Sequence, residues 1–521
     1  MRSASAGRIY FGPLMNNSMT HPYQIVILGG GSAGWMTAAA LSKVLDRQKY
    51  RITLVESAAI GTVSVGEATI PGIREFNQLL EINEDDFLRE TNGSFKLGIA
   101  FENWQNIGDF YMHPFGPYGV TLNGVPFHHY YLRHLREQGE ANAIPLSDLN
   151  LEWRAAIEHK FSRPIADKRS PLGHIKYAYH FDALKYAHYL KRYATQRGVV
   201  ALEDRMVSAK QRVEQGPIDA LMLEQHGELN GDFFIDCSGF KALLIGEALG
   251  VSYHDWRKWM PCDSAVALPG QHHNDAILPY TRSIAHHEGW RWRIPLQHRT
   301  GEGWVYSSRF TDTEQAERDF RQTIGNHDSK ANHLRWINGR RDQAWRHNCV
   351  AIGLSAGFIE PLESTGLQLT QSGIMRLISL LPGPGELSER AAAFNKYTAE
   401  EITNIRDFVM CHYKLTERDD SEFWRYCRDM EVPDSLQERL DLYRENASVF
   451  KNSNNELFNE ISWFSMFQGQ GLRPAQVHPL AEQMPAAEMQ QHLQTVQRIF
   501  AQSVAQLPTH EQFIQKHCKA P

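Results

Sequence analysis

Residues 23–34 read Tyr-Gln-Ile-Val-Ile-Leu-Gly-Gly-Gly-Ser-Ala-Gly, and an alanine-rich run from Trp35 to Leu45 follows. A β-rich run, a glycine turn and a helix-favouring segment predict strand, turn and helix in that order. Tyr50 to Val55 is a second β-rich run, and it ends in Glu56 about 20 residues past Gly34, the size of a βαβ unit. The order implies a parallel pair. Read as G-x-G-x-x-G, Gly29 allows the tight turn, Gly31 admits a pyrophosphate against bare backbone, and Gly34 lets helix pack on strand. Ser32 and Ala33 then open the helix with unpaired N–H groups facing phosphate, and Glu56 would accept a hydrogen bond from a ribose. Glycines alone also make ordinary turns, but strand, helix, second strand and terminal Glu together indicate a dinucleotide. Asp232 to Asp236 ends in Cys237-Ser238-Gly239-Phe240, and Cys349 to Leu354 in Ser355-Ala356-Gly357, so both would bring loops to one sheet edge. They lie far downstream, which favours a fold closing over FAD against a nicotinamide domain finished within about 150 residues.

The chain has 521 residues, 42% hydrophobic and 22% charged, so it is globular and long enough for one large core with a satellite. With 54 basic against 60 acidic residues and a formal charge of -6, it lacks the basic excess that nucleic-acid binding needs. Six scattered cysteines without C-x-x-C suggest neither disulfides nor a zinc ribbon, and point to the cytoplasm. Apolar runs such as Ile25 to Leu28 fall short of the roughly 20 residues of a membrane span. Residues 1–22 lack an apolar h-region and read as an extension rather than a signal peptide. The region 23–385 reads as the FAD-binding and catalytic domain, with a joint at Leu381-Pro382-Gly383-Pro384-Gly385, and 386–521 as a mainly helical substrate-binding region. The pairs His128-His129, His272-His273 and His286-His287 lack metal-ligand spacing, so no metal is expected.

Two segments carry more than the glycines. Trp290-Arg291-Trp292-Arg293-Ile294-Pro295 reads W-x-W-x-I-P, and Asn92-Gly93-Ser94-Phe95-Lys96 places a lysine in an alternating apolar strand. With GGGSAGWM at 29–36, VGEATIP at 65–71 and EPLESTG at 360–366, they closely resemble the flavin-dependent tryptophan halogenases over nearly the whole chain. That resemblance implies an α/β fold: an FAD-binding Rossmann-like domain of the flavin monooxygenase type with a mainly helical C-terminal substrate region. It implies that reduced FAD and O2 convert chloride or bromide to hypohalous acid, which halogenates an indole- or tryptophan-like ring. Lys96 would hold the oxidised halogen as hypohalous acid or a haloamine. Glu363 would polarise that species and take the proton lost on rearomatisation. Thr365 and Gly366 would bind halide, and Val65, Gly66, Glu67 and Ala68 would form the strap over the flavin. Trp290 and Trp292 would keep the organic substrate off the flavin. With no second nucleotide-binding unit in view, FADH2 would come from a separate reductase, and a homodimer is allowed for.

Taken alone, these residues have plainer readings. A strand lysine is ordinarily solvated, but Phe95, Leu97 and Ile99 around Lys96 suggest a buried ammonium whose desolvation favours the neutral amine. Glu363 could simply complement a helix dipole, since Ser364-Thr365-Gly366 open an apolar-periodic helix through Leu367, Met375, Leu377 and Leu381. Trp290 and Trp292 could be strand core.

At the substrate end, His113-Pro114-Phe115 is similar to a family pocket segment, with Phe115 placed to stack on indole; His113 alone would read as a surface histidine. Leu457 to Pro474 resembles the C-terminal pocket segment, with Phe458 in place of a stacking tryptophan and Trp463 beside it. Members acting on free tryptophan resemble one another in a Tyr-Tyr pair and a glutamate, where this chain has Asn446-Ala447 and Ser453. Each lost partner costs roughly 1 to 3 kcal/mol in binding the amino-acid zwitterion. Indole, or an electron-rich aromatic without that zwitterion, is therefore expected. An aromatic hydroxylase of the same fold, or a non-catalytic flavin-binding protein, is the alternative.

Overall fold

The computed structural model describes residues 21–57, 66–270, 276–451 and 456–521; Val65 and Ser453 lie outside them. Tyr23–Leu28 (β1), rich in β-branched residues and almost wholly buried, forms the middle of a six-stranded sheet. Ser32–Val44 (α1) follows, then Tyr50–Glu56 (β2), parallel to β1. Phe233–Asp236 pairs in parallel on the other side of β1, so that Leu28 lies between Val55 and Asp236. Val200–Glu203 and Cys349–Ala351 continue the sheet in parallel, and Trp345–Arg346 ends it antiparallel. The strands thus deliver their carboxyl-end loops to one edge, where α1 begins. A Cβ on Gly34 would lie 1.8 Å from the Gly29 carbonyl oxygen, so only glycine fits this approach of helix to strand.

The chain then builds a second body. Gly66–Ala68 (β3) and Ser94–Lys96 (β4) are short; Gly98–Glu102 (β5) and Phe110–Pro114 (β6) pair antiparallel at the edge of a seven-stranded sheet. Ala178–Asp182 (β7) lies between β3 and β4, antiparallel to both. Leu97 separates β4 from β5 because its N–H turns to the Pro279 carbonyl at 2.7 Å. The alternating apolar strand expected around Lys96 is therefore two strands in two sheets. Gly289–Pro295 (β8) holds Trp290 and Trp292 in the core, while Arg291 and Arg293 alternate to the other face and meet Glu302 at 2.7 and 2.9 Å.

Three helices complete the site. Gly366–Ser379 (α2) stops short of Leu381, correcting the longer helix expected there, and Met375 is 41% exposed rather than part of the apolar face. Pro382, three residues after Ser379, cannot extend the helix. Ser388–Lys414 (α3) is amphipathic at first and fully buried from Ile405 to Tyr413. Glu460–Gly469 (α4) packs against β6. No helix among the described residues is long and apolar enough to cross a membrane.

Candidate active site

Glu363 ends the 3-10 turn Pro361–Glu363, and Ser364 follows in the left-handed conformation at φ +58°. That bend sends the two side chains in different directions. The carboxylate meets His113 from β6, with Nδ1 2.9 Å from Oε2, and His412 from α3, with Nε2 2.8 Å from Oε1. Burial pushes the Glu363 carboxyl up, but the charge and hydrogen bonds of the two imidazoles outweigh it and hold it at about 2. Ser364 Oγ accepts a 2.8 Å hydrogen bond from Lys96 Nζ. Lys96 is 0% exposed, and desolvation pulls its ammonium down to about 7 against the opposing pull of Glu363. Desolvation thus brings the free amine within reach near neutral pH.

The Phe115 ring centre lies 5.5 Å from Lys96 Nζ. Phe458 stacks on Phe408 at 3.8 Å and reaches His113 at 5.9 Å, making an aromatic wall beside Glu363. Trp463 is not brought to this wall. Its indole donates to Glu456, carries the Arg439 guanidinium 4.2 Å over its face, and meets Phe408 edge-on. It stands one layer back because α4 turns that side into the core. Ala447 is left-handed at φ +63°, closes the helix Asp434–Asn446, and its carbonyl accepts from His128 Nε2; the Asn446 side chain accepts from the Ser448 N–H. Neither position offers the aromatic hydroxyls of a Tyr-Tyr pair.

On the cofactor side, nothing lies within 4 Å of a Cβ built on Gly31, and no side chain among the described residues caps α1, so the N–H groups of its first turn at Ser32, Ala33 and Gly34 lack intrahelical acceptors. Glu56 takes hydrogen bonds from Trp35 Nε1 at 3.1 Å and Lys191 Nζ at 2.5 Å, and each of its oxygens keeps a second acceptor site. The residues present fit a dinucleotide. Gly66 of β3 packs on Ile294 and Leu296, while Trp290 Nε1 donates to Glu360 at 3.1 Å. The W-x-W-x-I-P strand thus runs from the strap to the turn that carries Glu363. Through β7, the same three-stranded sheet joins Gly66, Glu67 and Ala68 to Lys96. Thr365 caps α2 with a buried Oγ1 that has no partner, and the space a Cβ would take on Gly366 is empty.

A family model described as tryptophan halogenase matches residues 24–486. The chain belongs to this family. It is 35% identical over 494 residues to the tryptophan 6-halogenase SttH of Streptomyces toxytricini, across 90% of this chain and 93% of the relative. A flavin-dependent halogenase from Xanthomonas campestris superposes with a TM-score of 0.90 at 43% identity, covering 96% of this chain and 99% of that one. BrvH, from Brevundimonas sp. BAL3, gives 0.90 at 40% identity over the same shares. This member is a flavin-dependent halogenase with an FAD-binding Rossmann-like fold, and the hydroxylase and non-catalytic readings give way.

The resemblance led to Lys96 and Glu363 but missed His412, which holds one Glu363 oxygen, and Ser364 as the partner of Lys96. His412 sits in the apolar run Phe408-Val409-Met410-Cys411, where a histidine reads as core.

Proposed function

We propose that this halogenase uses chloride or bromide to halogenate indole or an electron-rich aromatic without an amino-acid zwitterion, with Lys96 delivering the halogen and Glu363 taking the ring proton. The observation that carries it is the buried amine of Lys96, hydrogen-bonded to Ser364, the residue next to Glu363. Gly29, Gly31, Ser32, Ala33, Gly34 and Glu56, with Gly66–Ala68 as a strap, would hold FAD, which when reduced would supply with O2 the oxidising equivalent. Halide would sit at the Thr365 hydroxyl and the Gly366 N–H. Lys96 can hold hypohalous acid by hydrogen bonding or, as the free amine, form a haloamine with loss of water. The ring carbon bonds to the halogen as the oxygen–halogen bond of the held hypohalous acid breaks, hydroxide leaving as water with a proton from the Lys96 ammonium, or as the nitrogen–halogen bond of a protonated haloamine breaks and returns the Lys96 amine. The ring proton then passes to the Glu363 carboxylate, and the C–H electron pair restores aromaticity. An anion at about 2 suffices for so acidic a proton. Trp290 and Trp292 keep the ring from the cofactor.

Phe115, His113 and Phe458 would bound the aromatic ring, with Trp463 supporting from behind. The substrate preference is supported by Asn446 and Ala447, which serve helix closure. A separate reductase would supply FADH2. The six cysteines are free thiols, suiting a reducing cytoplasm. Competition between indole and L-tryptophan in one turnover mixture, read by mass spectrometry, tests the reading. Halogenated indole is expected to dominate, and a clear preference for the amino acid would refute it.

A further inference from the structure

Gly469, Gln470 and Gly471 form the G-x-G of the pocket segment; Gly469 and Gln470 face Tyr111, while Gly471 lies against Gln105. A Cβ on Gly469 would lie 2.3 Å from the Tyr111 ring, so glycine is what lets that ring lie flat on Phe101, 4.9 Å away at 6°. Gln470 Nε2 is 3.0 Å from the His412 carbonyl oxygen and 3.2 Å from the Tyr111 hydroxyl. The carbonyl belongs to the last turn of α3, where it has no helical donor, and because it can only accept, the amide nitrogen must be the end that faces it. The Tyr111 oxygen therefore accepts from Gln470, and its own proton goes to His412 Nδ1, 2.7 Å away. With Nδ1 accepting, the proton of a neutral His412 sits on Nε2 and points at Glu363 Oε1. Stacking on Phe101 at 4.5 Å and 13° fixes the imidazole plane.

We infer that Gln470 and Tyr111 are positioning residues: they set the tautomer of His412 so that it always donates to Glu363, and so keep that carboxylate charged and aimed during turnover. This rests on the role proposed above for Glu363. The titratable groups facing Glu363 are Lys96 from β4, Tyr111 and His113 from β6, and His412 from α3; Cys411 lies near Tyr111. Without the Tyr111 proton, His412 can carry its own on Nδ1 and turn a lone pair toward Oε1. Glu363 then holds its charge less well.

The test is Tyr111→Phe, which keeps the ring and its stacking, measured beside Glu363→Gln with the full chain, a reductase, FAD, bromide and indole. Tyr111→Phe should lower kcat about tenfold with KM for indole within twofold, and move the acid limb of the kcat profile up by about one pH unit. Gln470→Leu should move the limb the same way by less. A wild-type kcat and limb in Tyr111→Phe, or a lower kcat with the limb unmoved, would overturn the inference. Full activity in Glu363→Gln would instead overturn the reading of Glu363 itself, so the two failures are distinct.

Discussion

Glu360 and Glu363 flank one 3-10 turn, both 0% exposed, yet they are held in opposite charge states. Glu360 Oε1 accepts from the Trp290 indole and the Tyr413 hydroxyl, while Oε2 has no partner. Burial pushes this carboxyl up to about 8, with those neutral donors recovering only part. Glu363, three residues on, has an imidazole on each oxygen and is held at about 2. Equal burial with unequal partners shows that the donors decide ionisation here. His412 and Tyr413, adjacent on α3, each serve one of the two acids. One turn thus carries both a fixed anion and a neutral anchor for the W-x-W-x-I-P strand.

The largest effect should come from removing the anion. Glu363→Gln puts an amide N–H against an imidazole N–H and should cut ring halogenation at least ~100-fold at pH 7, by product mass spectrometry. A wild-type rate would erase the functional half of the contrast. A smaller effect separates the acids by stability. Glu360, raised from 4.5 to about 8, stabilises fully below pH 4.5, and that contribution is lost as pH rises through about 8. Glu363, lowered to about 2, stabilises above pH 4.5 and loses this as pH falls toward 2. Calorimetry should therefore show Tm falling by a few degrees between pH 6 and 9. Glu360→Gln, which mimics the neutral acid, should flatten that fall and keep activity within about threefold. An unchanged slope in the variant would show that Glu360 is not the titrating group.

The glycine turn, α1 and the parallel β1–β2 pair were legible because local spacing and residue type specify them. Lys96, Glu363 and Thr365 were legible through motif resemblance. The division into two strands at Leu97 was not, since an apolar residue there suits one strand or two. Nor were Tyr111, His412 and Gln470, which only the fold brings together from β6, α3 and the end of α4. Glu360 and Glu363 share one motif and one residue type, and only Tyr413 and Trp290 against His113 and His412 tell them apart. Trp463 was named through the resemblance of its segment to the pocket segment, and that resemblance does not show which layer a side chain of α4 fills.

Delivery of the halogen by a buried amine, away from the flavin, is tested most directly by Lys96→Ala supplied with reductase, NADH, FAD, bromide and indole. Reduced flavin should be consumed at the wild-type rate with no brominated indole formed. Brominated indole at the wild-type rate would contradict delivery through Lys96.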